Sequence, residues 1–149
     1  MVDITLVKKL RTDTQASIAD CRRALEESNG DYKKALVWLR AHGIEKAENK
    51  AERATGQGLI DCYIHQNSRV GAMIEILCET DFVARTSEFK NLAHEIAMQV
   101  AAMNPKDVDA LLKQEYIRDP SKTIGSLIKE TIAKLGENIM VNKLQRFEI

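Results

Sequence analysis

The sequence predicts an α+β fold: a helical N-terminal part, then a three-stranded antiparallel sheet with helices on one face. Three observations carry this. Residues 59–65 and 70–79 alternate apolar and polar positions around a short polar loop, Gln66-Asn67-Ser68-Arg69, the pattern of a hairpin. Two segments, Phe89 to Met103 and Ile124 to Leu135, repeat apolar residues at helical spacing. The final stretch, Asn138 to Ile149, returns to an extended pattern and supplies the third strand.

In chain order, the first 45 or so residues read as three short helices. Ile4, Val7 and Leu10 mark the first; Ser17 caps a second carrying Ile18, Cys21 and Leu25; Asp31 caps a third carrying Ala35, Leu36 and Leu39. Asn29-Gly30 makes the turn between the last two, and Gly43 stands where the third would end. So small a bundle has little core, which gives Trp38 weight in it. From Glu45 to Ala54 the chain is charged and alanine-rich, with Lys46, Lys50 and Arg53 interleaved among Glu45, Glu48 and Glu52. It reads as a solvated linker helix, over residues 46–56, whose ion pairs are worth roughly a few tenths of a kcal/mol each. Gly56-Gln57-Gly58 breaks it and opens a second domain, residues 57–149. There the second hairpin strand sets Val70, Ala72, Ile74, Ile76 and Cys78 on one face, and Phe89, Leu92, Ala93, Ile96, Val100 and Met103 form the helical stripe that follows. Asn104-Pro105 stops that helix. Residues 107–116 are weakly patterned, a short helix or loop; Ser121 opens a helix with Ile124, Leu127, Ile128, Ile132 and Leu135 on one face, ended by Gly136.

Composition excludes several classes. At 149 residues and 44% hydrophobic content the chain can bury a core, yet no run approaches the roughly 18 apolar residues a membrane helix needs. Met1-Val2-Asp3-Ile4-Thr5 carries neither a basic leader nor an apolar signal core, so a cytoplasmic address is expected. The 22 basic and 22 acidic residues cancel, leaving no broad positive field for nucleic acid; a protein partner is expected instead. Cys21, Cys62 and Cys78 form no CxxC pair and read as small buried apolar residues. His42, His65 and His94 are scattered, with no carboxylate or cysteine at ligand spacing, so neither metal nor cofactor is expected. No GxxxxGK[ST], no GxGxxG after a strand and no nucleophile elbow is present, and Glu26-Glu27 diverge on a helix. The residues do not compose an enzyme.

What stands out is Thr80-Asp81-Phe82-Val83-Ala84-Arg85, at the junction between the second strand and the long helix. Thr80 is placed to cap a helical turn, and Asp81 sits four residues before Arg85, the spacing of an ion pair. Phe82 either folds back as a core plug or is held on a rigid corner for a partner.

Glu79 to Arg85 closely resembles the TDFV signature of the elongation factor Ts family, the nucleotide exchange factors of elongation factor Tu. Other segments match in the family's order. Residues 14–25, ending Asp20-Cys21-Arg22-Arg23-Ala24-Leu25, resemble the segment ending Asp-Cys-Lys-Lys-Ala-Leu; Ile96 to Ala102 resembles a core helix; Gly136-Glu137-Asn138-Ile139 and Arg146-Phe147-Glu148 resemble the closing strand. The resemblance implies that residues 1–45 form a ubiquitin-associated-like three-helix bundle and 57–149 a core and dimerisation domain. It implies that Thr80, Asp81, Phe82 and Val83 enter the G domain of elongation factor Tu and dislodge its Mg²⁺, so that GDP leaves and GTP rebinds. The partner would be met in its GDP-bound and nucleotide-free forms. Ile18 and Ala19 stand where the family usually presents two methionines, and Gln99 where it often has histidine; these are the secondary contacts. With a single core unit and no room for the helical hairpin of longer members, a homodimer supplying two cores is expected. Helices cover only one sheet face, so Leu77, Met140 and Leu144 are its candidate interface residues. The competing class is an adaptor, a bundle fused to a dimerisation domain that binds proteins and alters no nucleotide.

Overall fold

Side chains that compete for backbone amides start each N-terminal helix. In the computed structural model, which describes residues 2–149, Asp3 caps α1 (Ile4–Thr14), Ser17 caps α2 (Ile18–Glu27) and Asp31 caps α3 (Tyr32–Glu48). Met1 lies outside the described residues. The three helices bury Val7, Leu10, Cys21, Ala24, Leu25, Ala35 and Leu39 against one another. Trp38 closes the edge of this small core, stacked on His42 at 4.6 Å between ring centroids with the Arg23 guanidinium 5.7 Å above it. Ile4 and Ile18, which share the apolar spacing of these helices, are exposed.

The third helix does not end at Gly43. It runs on to Glu48, because Gly43 faces α7 (Ile124–Leu135): a Cβ there would stand 3.2 Å from the Ala133 Cβ, so the missing side chain lets the two helices approach. Lys129 reaches Glu48 at 2.9 Å and Arg40 reaches Glu130 at 3.5 Å across the same seam. Ala47 is buried in the second core. The expected linker helix over 46–56 is therefore two things: the last turn of α3, and a run of turns from Asn49 to Arg53 that leads out to the sheet.

The hairpin forms as the alternation predicts, with β1 (Gln57–Ile64) and β2 (Val70–Cys78) paired antiparallel. Gly58 is required at its start: φ is 153° and a Cβ would meet the Ile76 carbonyl oxygen at 2.1 Å. β5 (Ile139–Glu148) pairs with the other edge of β2, giving the order β1-β2-β5. One residue of β5 is in excess. Ile76 pairs with Val141 and Glu75 with Lys143, so Asn142 forms a β-bulge, its side chain donating to Glu75 Oε2 at 2.7 Å.

Between β2 and β5 lie α4 (Asp81–Ala84), α5 (Ser87–Met103), α6 (Val108–Lys113), a two-stranded hairpin of β3 (Glu115–Tyr116) and β4 (Asp119–Thr123), and α7. The small hairpin is absent from the sequence reading: Ser121 lies in β4, and the following helix starts at Ile124 under a Thr123 cap. α5 and α7 cover one face of the sheet, burying Ala72, Ile74, Ile76 and Cys78 beneath Phe89, Ile96, Val100 and Ile132. Two of the cysteines are buried as expected; Cys62 is exposed on the other face.

Candidate functional site

β2 ends with Cys78 fully buried, and Glu79-Thr80 lead the chain out of the sheet. Thr80 is extended (φ −125°, ψ 155°); its Oγ1 accepts from the Val83 amide at 3.4 Å and its carbonyl accepts from the Ala84 amide at 3.3 Å. That closes one helical turn, α4. Thr86 stops it and starts α5 at once, donating its hydroxyl to the Val83 carbonyl at 2.8 Å while accepting from the Phe89 amide at 3.2 Å. Two threonine caps thus bracket five residues, Asp81 to Arg85, and the geometry of the turn divides their side chains. Ala84 is buried and Val83 packs against the core, whereas Phe82 is 77% exposed. The core-plug alternative for Phe82 is excluded. Asp81 and Arg85 pair at 2.7 Å on the outer surface, a solvated contact that stiffens the turn only slightly.

Beneath the turn the polar groups are fully engaged. Glu137 accepts from the Thr80 amide at 3.0 Å and the Thr80 hydroxyl at 2.7 Å. The Cys78 thiol donates to the Thr80 carbonyl at 3.1 Å. Burial, reinforced by the Glu137 carboxylate, pushes that thiol above its ordinary pKa and keeps it a neutral donor.

Ile18 and Ala19 are exposed on the first turn of α2, far down the chain from the corner but likewise presented outward. The turn is anchored by Asp20, which takes the Ser17 hydroxyl at 2.7 Å and the Lys46 ammonium at 2.8 Å. Partial burial pushes the Asp20 carboxyl up, but those two hydrogen bonds and the nearby cations outweigh it and leave its pKa below the usual value. Gln99 is different. It is fully buried, its Nε2 donating to the Glu115 carbonyl at 3.0 Å and its Oε1 accepting from the Ile117 amide at 3.1 Å. Its side-chain amide is committed to joining α5 to the β3-β4 hairpin, so the expected partner contact at Gln99 is replaced by an internal one.

The uncovered sheet face carries Ile60, Ile64, Met73, Met140 and Phe147, each at least 41% exposed, with Leu77 half-buried beside Met140. Leu144 is not among them. The bulge at Asn142 moves it onto the core side opposite Ile74, and the same shift brings Phe147 to the open side opposite Gly71. Sequence reasoning missed Phe147, Glu137 and the β1 pair Ile60 and Ile64. For the β1 pair the alternation already held the signal; for Glu137 the signal was an acid placed directly after a helix-ending glycine. Among the described residues, no group of three His, Cys, Asp or Glu side chains is arranged to hold a metal, and no helix is long and apolar enough to cross a membrane.

The profile of the family described as Elongation factor TS matches residues 79–149, the segment that runs from the corner to the end of the chain. Elongation factor Ts of Thermoanaerobacter sp. (strain X514) is 41% identical over 99% of this chain and 95% of its own length. The Oleidesulfovibrio alaskensis protein is 39% identical (99% and 98%), and that of Thermotoga maritima 42% identical (99% and 96%). The Thermoanaerobacter alignment runs over 193 positions against the 149 residues here, so at least 44 positions, 193 less 149, have no counterpart in this chain. With about two-fifths identity in alignments that cover 99% of its length, the chain belongs to the elongation factor Ts family of translation elongation factors.

Proposed function

We propose that this chain is a guanine nucleotide exchange factor that binds elongation factor Tu, dislodges its Mg²⁺ and promotes release of GDP so that GTP can rebind. The observation that carries the reading is Phe82, 77% exposed on a doubly capped turn of the TDFV motif. An exchange factor needs contacts rather than catalysis: it binds the nucleotide-free partner better than the loaded one, and by linkage the nucleotide weakens the factor equally. In P-loop GTPases, Mg²⁺ and the loop's backbone donors hold the phosphates. A rigid aromatic inserted beside them lowers nucleotide affinity by what it gains in its own pocket, roughly 1.5–3 kcal/mol for a buried phenylalanine, or about one to two powers of ten. Thr80, Asp81 and Val83 form the turn that delivers it.

The bundle, residues 1–45, docks the partner through Ile18 and Ala19, and the core domain, residues 57–149, ejects the nucleotide. The working form is a homodimer joined through the open sheet face, where Ile60, Ile64, Met73, Met140 and Phe147 lie uncovered. Symmetric pairing is the commonest route to a second core. The deciding experiment is release of labelled GDP from purified elongation factor Tu with and without this chain. Acceleration that saturates with factor supports the reading; binding to elongation factor Tu with unchanged GDP release would assign the chain to the adaptor class instead.

A further inference from the structure

Gly136-Glu137-Asn138 joins α7 to β5 and belongs neither to the apolar core nor to the outer surface of the corner. Gly136 ends α7 in the left-handed conformation (φ 76°), which turns the chain back toward the end of β2. There Glu137 receives both hydrogen-bonding protons of Thr80, a residue 57 positions earlier. With its proton given to Glu137, the Thr80 hydroxyl oxygen is free to accept from Val83, and the Thr80 carbonyl is held by the Ala84 amide and the Cys78 thiol. Every polar atom of Thr80 therefore has a fixed partner. The neighbouring Asn138 is buried and does the same for the chain leaving α3: its side-chain amide donates to the Ala51 and Arg53 carbonyls at 3.3 and 2.9 Å, and its backbone amide donates to Glu79 at 2.8 Å.

A side chain as exposed as Phe82 is oriented by its backbone and little else. Its backbone is a single turn of four residues, too short to hold itself together in water. We propose that Glu137 is a positioning residue for Phe82, fixing the Thr80 cap so that the aromatic side chain is already oriented when the partner arrives. This inference rests on the exchange reading. Glu137 touches neither nucleotide nor Mg²⁺ in that scheme; it acts through Thr80. Pre-ordering removes an entropy loss from the moment of association, so losing it weakens engagement while leaving a docked Phe82 able to act as before.

The test compares the full-length chain with Glu137→Ala, Thr80→Val and the double variant, by amide hydrogen exchange of the free proteins and by GDP release from elongation factor Tu across factor concentrations. In Glu137→Ala the Thr80, Val83 and Ala84 amides should exchange faster while β2 and α5 keep their protection. The half-saturating concentration should rise about tenfold, the loss expected from ordering a side chain and its turn on binding, with the saturating rate within about twofold. The double variant should lose less than the two single losses combined, since both remove the Thr80 hydroxyl–Glu137 bond and differ only in the Thr80 amide bond and the Val83 cap. Unchanged protection at Thr80 and Val83, an unchanged half-saturating concentration, or additive losses would each overturn the proposal. If the wild-type chain itself releases no GDP, the exchange reading falls, and the protection data alone uphold or overturn the hold of Glu137 on the corner.

Discussion

Replacing Phe82 with alanine separates binding from folding, because the structure leaves so little of this side chain inside. With 77% of Phe82 exposed, folding buries only about a quarter of what full burial of a phenylalanine would, or roughly 0.3–0.7 kcal/mol of the usual 1.5–3. In a chain of 149 residues that shifts Tm by about 1–3 °C. The remaining three-quarters is available to a partner's pocket, about 1.2–2.3 kcal/mol, which corresponds to a loss of roughly 7- to 50-fold in exchange. Because the proposed wedge would act in the docked complex, the loss should appear in the saturating rate of GDP release, not only in the concentration of factor required. The assay is fluorescent GDP release under saturating factor, paired with a melting curve. A drop in Tm well beyond about 6 °C would place Phe82 in the core, and unchanged exchange with an intact fold would refute its role as the wedge.

Ile18→Ser, at a position 58% exposed on α2, should leave Tm unchanged and raise the half-saturating factor concentration more than it lowers the saturating rate, read in the same GDP assay. Gly43→Leu forces a branched side chain into the contact with Ala133 and should lower Tm by several degrees, the effect of about 1–3 kcal/mol of overpacking, checked by calorimetry. Asp20→Asn tests the linkage of α2 to α3. The folded carboxyl titrates below its unfolded value of about 4, so its stabilisation is present above that pH and is lost as pH falls through the lower folded value. Wild type and variant should differ in Tm at pH 7 and converge in strong acid. Met73→Lys places a charge amid the open sheet face; light scattering should move from about twice the 16.8 kDa chain mass to one chain mass, and a wild type that is monomeric at high concentration would refute the dimer.

Local patterns made most elements legible. The hairpin, α5 and the Thr80 cap of the corner follow from alternation, helical spacing and hydroxyl placement over a few residues, and each forms where those rules put it. What the sequence concealed was set at a distance. Gly43 has the look of a helix stop, but its lack of a side chain serves Ala133, ninety positions on. Asp119-Pro120-Ser121-Lys122-Thr123 has no alternation at all; it is strand through its pairing with β3, whose Glu115 carbonyl is held in turn by Gln99 from the core. The resemblance makes Gln99 a partner contact, but its bonds to Glu115 and Ile117 hold it inside. At the corner, the motif located Phe82, yet the choice between inward and outward depended on which of four side chains the turn aims at the core. Glu137, a contact across 57 positions, had no local signal beyond the glycine before it.

The surplus residue in β5 shapes the face that a second copy would meet. A flat apolar sheet is a template for open-ended stacking, since any copy can sit on any other in several registers. A β-bulge bends its strand locally, and the one at Asn142 lies between Met140 and Phe147 on this face. A surface with a crease has a preferred fit: a copy rotated by a two-fold axis matches crease to crease, whereas one displaced by translation does not. One residue outside the ladder would thereby favour closed pairs over fibres, a safeguard suited to the proposed dimer, whose apolar face stays exposed until its mate is found.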